Sequence, residues 1–293
     1  MRSHRFSRRS VLRMLPALAW QRPLSAFGRP ETSPEDQMAA IERGIGARVG
    51  VTALDTETGR KLEYRASELF AMCSTFKFLL AACILERVDA GKDDLKRSIP
   101  YGEKDLLEYA PATRAHVKEG AMTVGDLCAA AVEVSDNTAA NLLLSQIGGP
   151  KGLTAFIRSL GNQVTRLDRR EPELNDAIPG DPRDTTSPAA MVDSMRNLLI
   201  RDGLSASSRS QLIRWLEQSS KGGNRLRAGI PADWRAGGKT GTGNNGAVGD
   251  IGIFWPPNKA PILIAAYVME GKAMREAREK AIAAVGRLVA QVL

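Results

Sequence analysis

The chain has 293 residues, 43% of them hydrophobic and 25% charged, the balance of a globule that can bury a sizeable core. Its formal net charge of +8 belongs mostly to residues 1–30, which hold seven arginines and no acid; the remainder sets 34 basic residues against 33 acidic ones. A nucleic-acid surface needs cations clustered on the folded body, so no nucleic-acid partner is expected. No apolar run approaches the roughly eighteen residues that span a bilayer, so no stable membrane anchor is expected either.

Residues 1–30 read as an export signal. A basic start, "SHRFSRR", leads into the short apolar stretch "VLRMLPALAW". The piece "SRRSVL" resembles the twin-arginine export motif, which implies an exported, periplasmic or secreted protein. Next, "EDQMAAIERGI" has helical spacing of its apolar residues, and "ARVGVTALDTETGRKLEYRA" reads as two strands about a turn at Thr58-Gly59. From Ser74 to about Gly91 the pattern is a helix ended by glycine. Residues 95–215 are mostly helical pieces, among them "TVGDLCAAAVEV", "NTAANLLLSQIG" and "PAAMVDSMRNLLI". Between two of them lies a long charged, proline-rich segment, "RLDRREPELNDAIPGDPRDTTSP", of the kind that is usually functional inside a compact domain. The chain then returns to strands, "WRAGGKTGTG", "AVGDIGIFWP" and "APILIAAYVM", and closes on the amphipathic helix "MREAREKAIAAVGRLVAQVL".

Strands at both ends around a helical middle predict an α+β fold, with one antiparallel sheet built from both termini, flanked by helices, and an inserted all-helical domain. The expected division is residues 1–30 as signal, 31–66 with 216–293 as the sheet domain, and 67–215 as the helical domain.

The chemistry starts from what is missing. His4 and His116 are the only histidines. Without a nucleophile-elbow motif, a Ser-His-Asp hydrolase is disfavoured. The cysteines are Cys73, Cys83 and Cys128, with no CxxC and no metal-ligand spacing, so neither a metal nor a cofactor is expected. Ser74 and Lys77, in "CSTFK", stand at i and i+3 on one helix face. They read either as a cap and a snorkelling lysine, or as a nucleophile at a helix N-terminus beside a lysine able to lose its proton. "SDN" at Ser135, Asp136 and Asn137 either caps the next helix or supplies polar groups to a site. "KTGTG" at residues 239–243 places Lys239, Thr240, Gly241 and Thr242 on a strand whose glycines admit another backbone.

S-x-x-K, S-D-N and K-T-G in this order form the motif set of penicillin-recognising serine enzymes. The chain resembles the class A serine β-lactamases over roughly residues 35–293, because "RLDRREPELN", Arg166 to Asn175, is similar to their omega loop. "VSDNTAANLLL" and "GGPKGLTAF" match them as well. The resemblance implies hydrolysis of β-lactam antibiotics by a monomer through an acyl-enzyme on Ser74. It implies an oxyanion hole of the Ser74 and Thr242 backbone N–H groups, and Ser135 and Lys77 as proton carriers. Lys239, Thr240, Gly241 and Thr242 would hold the substrate carboxylate, Asn137 the acylamide, and Tyr109 would form the entrance wall. Glu171 and Asn175 would hold the deacylating water, with the omega loop at residues 166–184 closed by an Arg169–Asp184 ion pair and a cis bond before Pro172. Whether Glu171 or Lys77 activates Ser74 stays open.

Two departures stand out. Val248 occupies the place where many relatives carry an arginine, and Arg225 matches the place from which others supply it. Relatives with a disulfide in the first core helix pair the position of Cys128 with that of Ala81, whereas Cys83 lies two residues on. Others bridge the position of Cys73 to that of Gly243. Three free thiols are therefore expected. The rival readings are a D,D-peptidase and a β-lactam-binding sensor domain that acylates and stops; the matched omega-loop glutamate argues against both.

Overall fold

The computed structural model describes Met1 and residues 33–293; the export reading falls on residues outside this range, Met1 apart. Helix α1 (Pro34–Ile45) starts where Ser33 Oγ accepts from Asp36 N and stops at Gly46 in the left-handed region. Strands β1 (Arg48–Asp55) and β2 (Lys61–Tyr64) form the first hairpin, and β3 (Phe70–Ala71) is a short ribbon strand. A single 3-10 turn, Cys73–Thr75, leads into α2 (Phe76–Asp89). The expected helix therefore begins one tight turn later than Ser74, and the serine stands on the turn. From Phe76 to Leu85 every residue of α2 is buried, as befits a helix apolar on all sides; Lys77 is its one buried cation.

The middle of the chain runs through β4 (Ser98–Pro100), α3 (Pro111–Ala115), β5 (Ala121–Thr123), α4 (Val124–Glu133), α5 (Asn137–Gln146), α6 (Gly149–Ser159), β6 (Thr185–Thr186), α7 (Pro188–Leu199), α8 (Ala206–Gln218) and α9 (Leu226–Gly229). Side-chain caps fix several of these starts: Thr123 for α4, Asp136 for α5, Ser187 for α7 and Ser205 for α8. The chain ends with β7 (Arg235–Thr242), β8 (Val248–Trp255), β9 (Ile262–Met269) and α10 (Arg275–Val292).

The main sheet has the order β2-β1-β9-β8-β7 and is antiparallel throughout. β1 lies against β9, with Arg48 opposite Met269, so both ends of the chain do build one sheet. The strand period of two divides its side chains cleanly. Ile262, Ile264, Ala266 and Val268 face α1 and α10 together with Val49 and Val51. Leu263, Ala265, Tyr267 and Met269 face the other way, into a core shared with α2, α4, α5, α7 and α8. That second core is continuous from the sheet into the helical segment, and Ser33–Leu293 form one compact unit. Two short ribbons, β3 with β6 and β4 with β5, tie the helical segment together.

This packing brings the end of β7 onto the turn before α2. A Cβ on Gly241 would lie 2.5 Å from Met72 O, and one on Gly243 would lie 2.6 Å from both Asn175 O and Cys73 Sγ. Only glycine allows approaches that close. The Glu171–Pro172 bond is cis.

Candidate active site

Ser74 sits where three segments meet: the 3-10 turn, the S-D-N segment between α4 and α5, and the K-T-G strand β7. Two backbone conformations mark the place. Cys73 has φ +44° and Ser135 has φ +63°, both in the left-handed region that non-glycine residues rarely enter. Such strain persists only where surrounding structure over-determines it, often at functional sites. At Ser135 its result is visible: the residue turns both its carbonyl and its hydroxyl toward Lys77.

Lys77 is completely buried and saturated with acceptors. Nζ donates to Ser135 O at 2.9 Å and to Asn137 Oδ1 at 2.6 Å, lies 3.4 Å from Ser135 Oγ, and forms a 2.9 Å ion pair with Glu171 Oε1. Burial lowers the Lys77 pKa, and the Glu171 charge opposes that shift. Ser74 Oγ makes a long hydrogen bond, 3.4 Å, to the same Glu171 oxygen. Lys239 is also fully buried; its Nζ donates to Ser135 Oγ at 3.0 Å and to Thr240 O at 3.1 Å. Its pKa lies well below the ordinary lysine value because of burial and, second, the like charge of Lys77. Ser135 Oγ therefore stands between two ammonium groups whose protons are loosened.

Glu171 is held from several directions. Its N–H donates to Asn141 Oδ1 at 3.1 Å, and its carbonyl accepts from Asn141 Nδ2 at 2.8 Å. Asn175 Nδ2 donates to Glu171 Oε2 at 2.5 Å and to Pro172 O at 3.1 Å, while Asn175 Oδ1 is buried with no hydrogen-bond partner. An acceptor left bare beside a carboxylate suits a water molecule. The loop carrying these residues is closed by Asp184. Its Oδ1 accepts from the backbone N–H groups of Asp168 and Arg169, its Oδ2 from Arg169 Nε at 2.6 Å, and its carbonyl from Met72 N. The Arg169–Asp184 pair is thus present, with Asp184 buried.

Above these groups opens a cleft of about 680 Å³. Ser74, Tyr109, Ser135, Asn137, Asn175, Arg225, Thr240 and Thr242 line it; Lys77, Glu171 and Lys239 lie beneath and bond to residues of its wall. Gly241 is not on the wall; its carbonyl accepts from Arg225, and a Cβ there would run into Met72 O. Arg225 is buried: Nη1 donates to Gly241 O and Gly249 O, each at 2.8 Å, and Nη2 donates to Thr242 Oγ1 at 2.7 Å. It also pairs with Glu279 at 3.0 Å, a carboxylate that Arg275 shares.

Sequence reasoning passed over Asn141 and Glu279. Asn141 had a signal, since it lies four residues after Asn137 on the same helix and so on the same face. Glu279 had none: it reaches Arg225 across 54 residues of chain. Asp136 also does more than cap α5; it accepts from Ala112 N, Thr113 N and Thr113 Oγ1, tying the segment that carries Tyr109 to the S-D-N turn.

The model of the β-lactamase enzyme family matches residues 33–293. Among solved structures, an ancestral class A β-lactamase reconstructed for the last common ancestor of Gram-negative bacteria shares 56% identity at a TM-score of 0.88, covering 89% of this chain and 100% of that one. Another reconstruction of that ancestor shares 58% identity at a TM-score of 0.86, covering 87% and 97%. PenP of Rhodopseudomonas palustris, assigned to class A, shares 50% identity at a TM-score of 0.87, covering 89% and 99%. With its body matched throughout and such relatives over nearly their whole length, the chain belongs to the β-lactamase enzyme family and is a serine β-lactamase of class A.

Proposed function

We propose that the protein hydrolyses β-lactam antibiotics through an acyl-enzyme on Ser74 that is released by a water activated at Glu171. The observation that carries this reading is the position of Glu171. One oxygen faces Ser74 Oγ and Lys77, the other faces the Asn175 amide, and the backbone is pinned by Asn141.

In the first step Ser74 Oγ attacks the lactam carbonyl and its proton passes toward Glu171, the acceptor its hydroxyl faces. Lys77, beside both, keeps the pair near neutrality. The oxyanion develops between the N–H groups of Ser74 and Thr242, brought together by the contact of β7 with the 3-10 turn. Such a donor pair is typically worth several kcal/mol in the transition state. Ser135 passes its proton to the departing ring nitrogen and takes one from Lys77, which recovers the Ser74 proton from Glu171, so that Glu171 is a carboxylate again. Lys239, Thr240 and Thr242 hold the substrate carboxylate, with Arg225 fixing Thr242 from behind. Asn137, its Oδ1 engaged by Lys77, turns its NH₂ to the acylamide. In the second step a water between Glu171 and the bare Asn175 Oδ1 loses its proton to Glu171 and attacks the ester; the bond from the acyl carbon to Ser74 Oγ breaks, and Glu171 returns the proton to Oγ.

We also read the protein as a monomer exported by the twin-arginine route to the periplasm or beyond. Among the described residues no helix is long and apolar enough to cross a membrane. Nitrocefin hydrolysis by the purified protein tests the main reading. Many turnovers per molecule are expected, all lost in Ser74→Ala. A single stoichiometric burst would favour a D,D-peptidase or a sensor domain.

A further inference from the structure

The mouth of the cleft carries a charge that the reaction above does not use. Three cationic side chains, Lys221, Arg225 and Arg275, line the cleft against one anionic one, Glu279. Glu279 Oε1 takes both guanidinium groups, each at 3.0 Å. Lys221 has no such partner: among the described residues its ammonium makes no ion pair or hydrogen bond, and its one polar contact is with the Tyr109 ring, 5.7 Å from the centroid. Deeper down, Lys77 is matched by Glu171, while Lys239 adds further positive charge. The single ring carboxylate of a β-lactam therefore leaves the cleft with cationic charge to spare, and the spare charge nearest the entrance is Lys221.

The lysine is also placed rather than loose. Ser220, just before it, donates from N and Oγ to Glu133 O at 3.1 and 3.3 Å. Tyr109, across from it, donates from its hydroxyl to Val134 O at 3.2 Å and accepts at its carbonyl from Asn137 N. Both sides of the mouth are anchored on the same short segment, residues 133–137, which leads into the site.

Resting on the β-lactamase reading, we infer that Lys221 is a specificity-determining residue that favours β-lactams carrying a second anionic substituent, such as a carboxylate on the acyl side chain. The substituent meets the Lys221 ammonium beside the Tyr109 ring, whose edge excludes water from one side of the pair. A rim charge acts mainly on capture of the substrate, so the effect belongs in kcat/KM and weakens with salt.

The test compares benzylpenicillin with its α-carboxy analogue carbenicillin, which differs by one carboxylate. The readout is the ratio of their kcat/KM values for the wild type, Lys221→Met, Lys221→Glu and Lys221→Arg. A partly exposed ion pair is weak, so Met should lower the carbenicillin preference about 1.4- to five-fold, and Glu further. Arg should keep it within about two-fold, and raising salt should shrink the difference between wild type and Met. An unchanged ratio in Met and Glu, or an equal loss in Arg, would overturn the inference while leaving the lactamase reading intact. Failure of the wild type to turn over either penicillin would instead bring down the reading on which the inference rests.

Discussion

At the scale of single residues, the site is a problem in placing charge where water cannot reach it. Lys77 and Lys239 are completely buried, and burial depresses the pKa of both. On the proposed mechanism Lys239 must be charged to hold the substrate carboxylate, and burial lets its proton go at lower pH than an ordinary lysine's. The alkaline limb of kcat/KM should therefore fall below 10.5, the ordinary lysine value, and Lys239→Arg should move it upward, since a guanidinium stays charged. A limb that stays put in the arginine variant would show that another group sets it. Arg225 makes a second case. Its donors are spent on Gly241 O, Gly249 O and Thr242 Oγ1, so its removal frees the hydroxyl of a cleft-lining residue. Arg225→Ala should raise KM for several penicillins about ten-fold, the order expected for charged hydrogen bonds, with a smaller change in kcat. An unchanged KM would count against it. Ser74, Ser135 and Lys239 were legible in the sequence because each lies in a short contiguous motif. Asn141 and Glu279 were not, because their partners come from distant parts of the chain.

At the scale of elements, the turn between β7 and β8 is a strap across the omega loop. Asn244 N donates to Asn175 O at 2.8 Å, and Asn245 Nδ2 donates to Asp176 O at 2.9 Å. The turn is itself held by Arg278, a buried guanidinium whose donors go to the carbonyls of Gly246, Gly271 and Ala273. Loss of the Asn245 bond should loosen Asn175 and, through it, the Glu171 oxygen proposed to activate water. Glycine is the informative replacement, because Asn245 has φ +49° and glycine accepts that backbone without strain. In Asn245→Gly, kcat and KM should fall together about three- to ten-fold, the worth of one hydrogen bond, leaving kcat/KM nearly unchanged. A fall in kcat/KM with KM constant would place the damage in acylation instead. The longer elements were readable from their periodicity and caps. The short ribbons β3–β6 and β4–β5 were not, since two or three residues carry no period. The 3-10 turn was not either, because Ser74 and Thr75, directly before an apolar run, read equally well as the cap and first turn of α2.

At the scale of the whole molecule, a sheet assembled from both chain ends was legible, since strand-like runs flank a helical middle. The continuity of its core with the helices was not, because periodicity gives the buried face of an element and not what that face meets. One buried carboxyl records the cost of this packing. Asp250, on the α10 side of the sheet, accepts from Leu226 N at 3.1 Å, and burial raises its pKa to about 7. A carboxyl whose folded pKa exceeds its unfolded value of 3.8 favours the folded state most at low pH. That contribution is lost progressively as pH rises from near 4 to near 7. Asp250→Asn keeps an acceptor for Leu226 N and cannot ionise, so its melting temperature relative to wild type should rise by several degrees between pH 5 and pH 8. A constant difference across that range would contradict the assignment. Cys73, Cys83 and Cys128 are all free and buried, so three thiols should titrate after denaturation without reductant and none rapidly before.

On the proposed mechanism Glu171 drives release of the acyl group from Ser74. The measurement that tests it most directly is intact-protein mass spectrometry of Glu171→Ala mixed with benzylpenicillin, beside steady-state turnover of the wild type. The wild type should turn over steadily. In the variant a penicilloyl adduct should accumulate on Ser74 to one equivalent while turnover drops by about a hundred-fold or more. A variant that turns over at the wild-type rate without an adduct, or a wild type that stops after one equivalent, would contradict it.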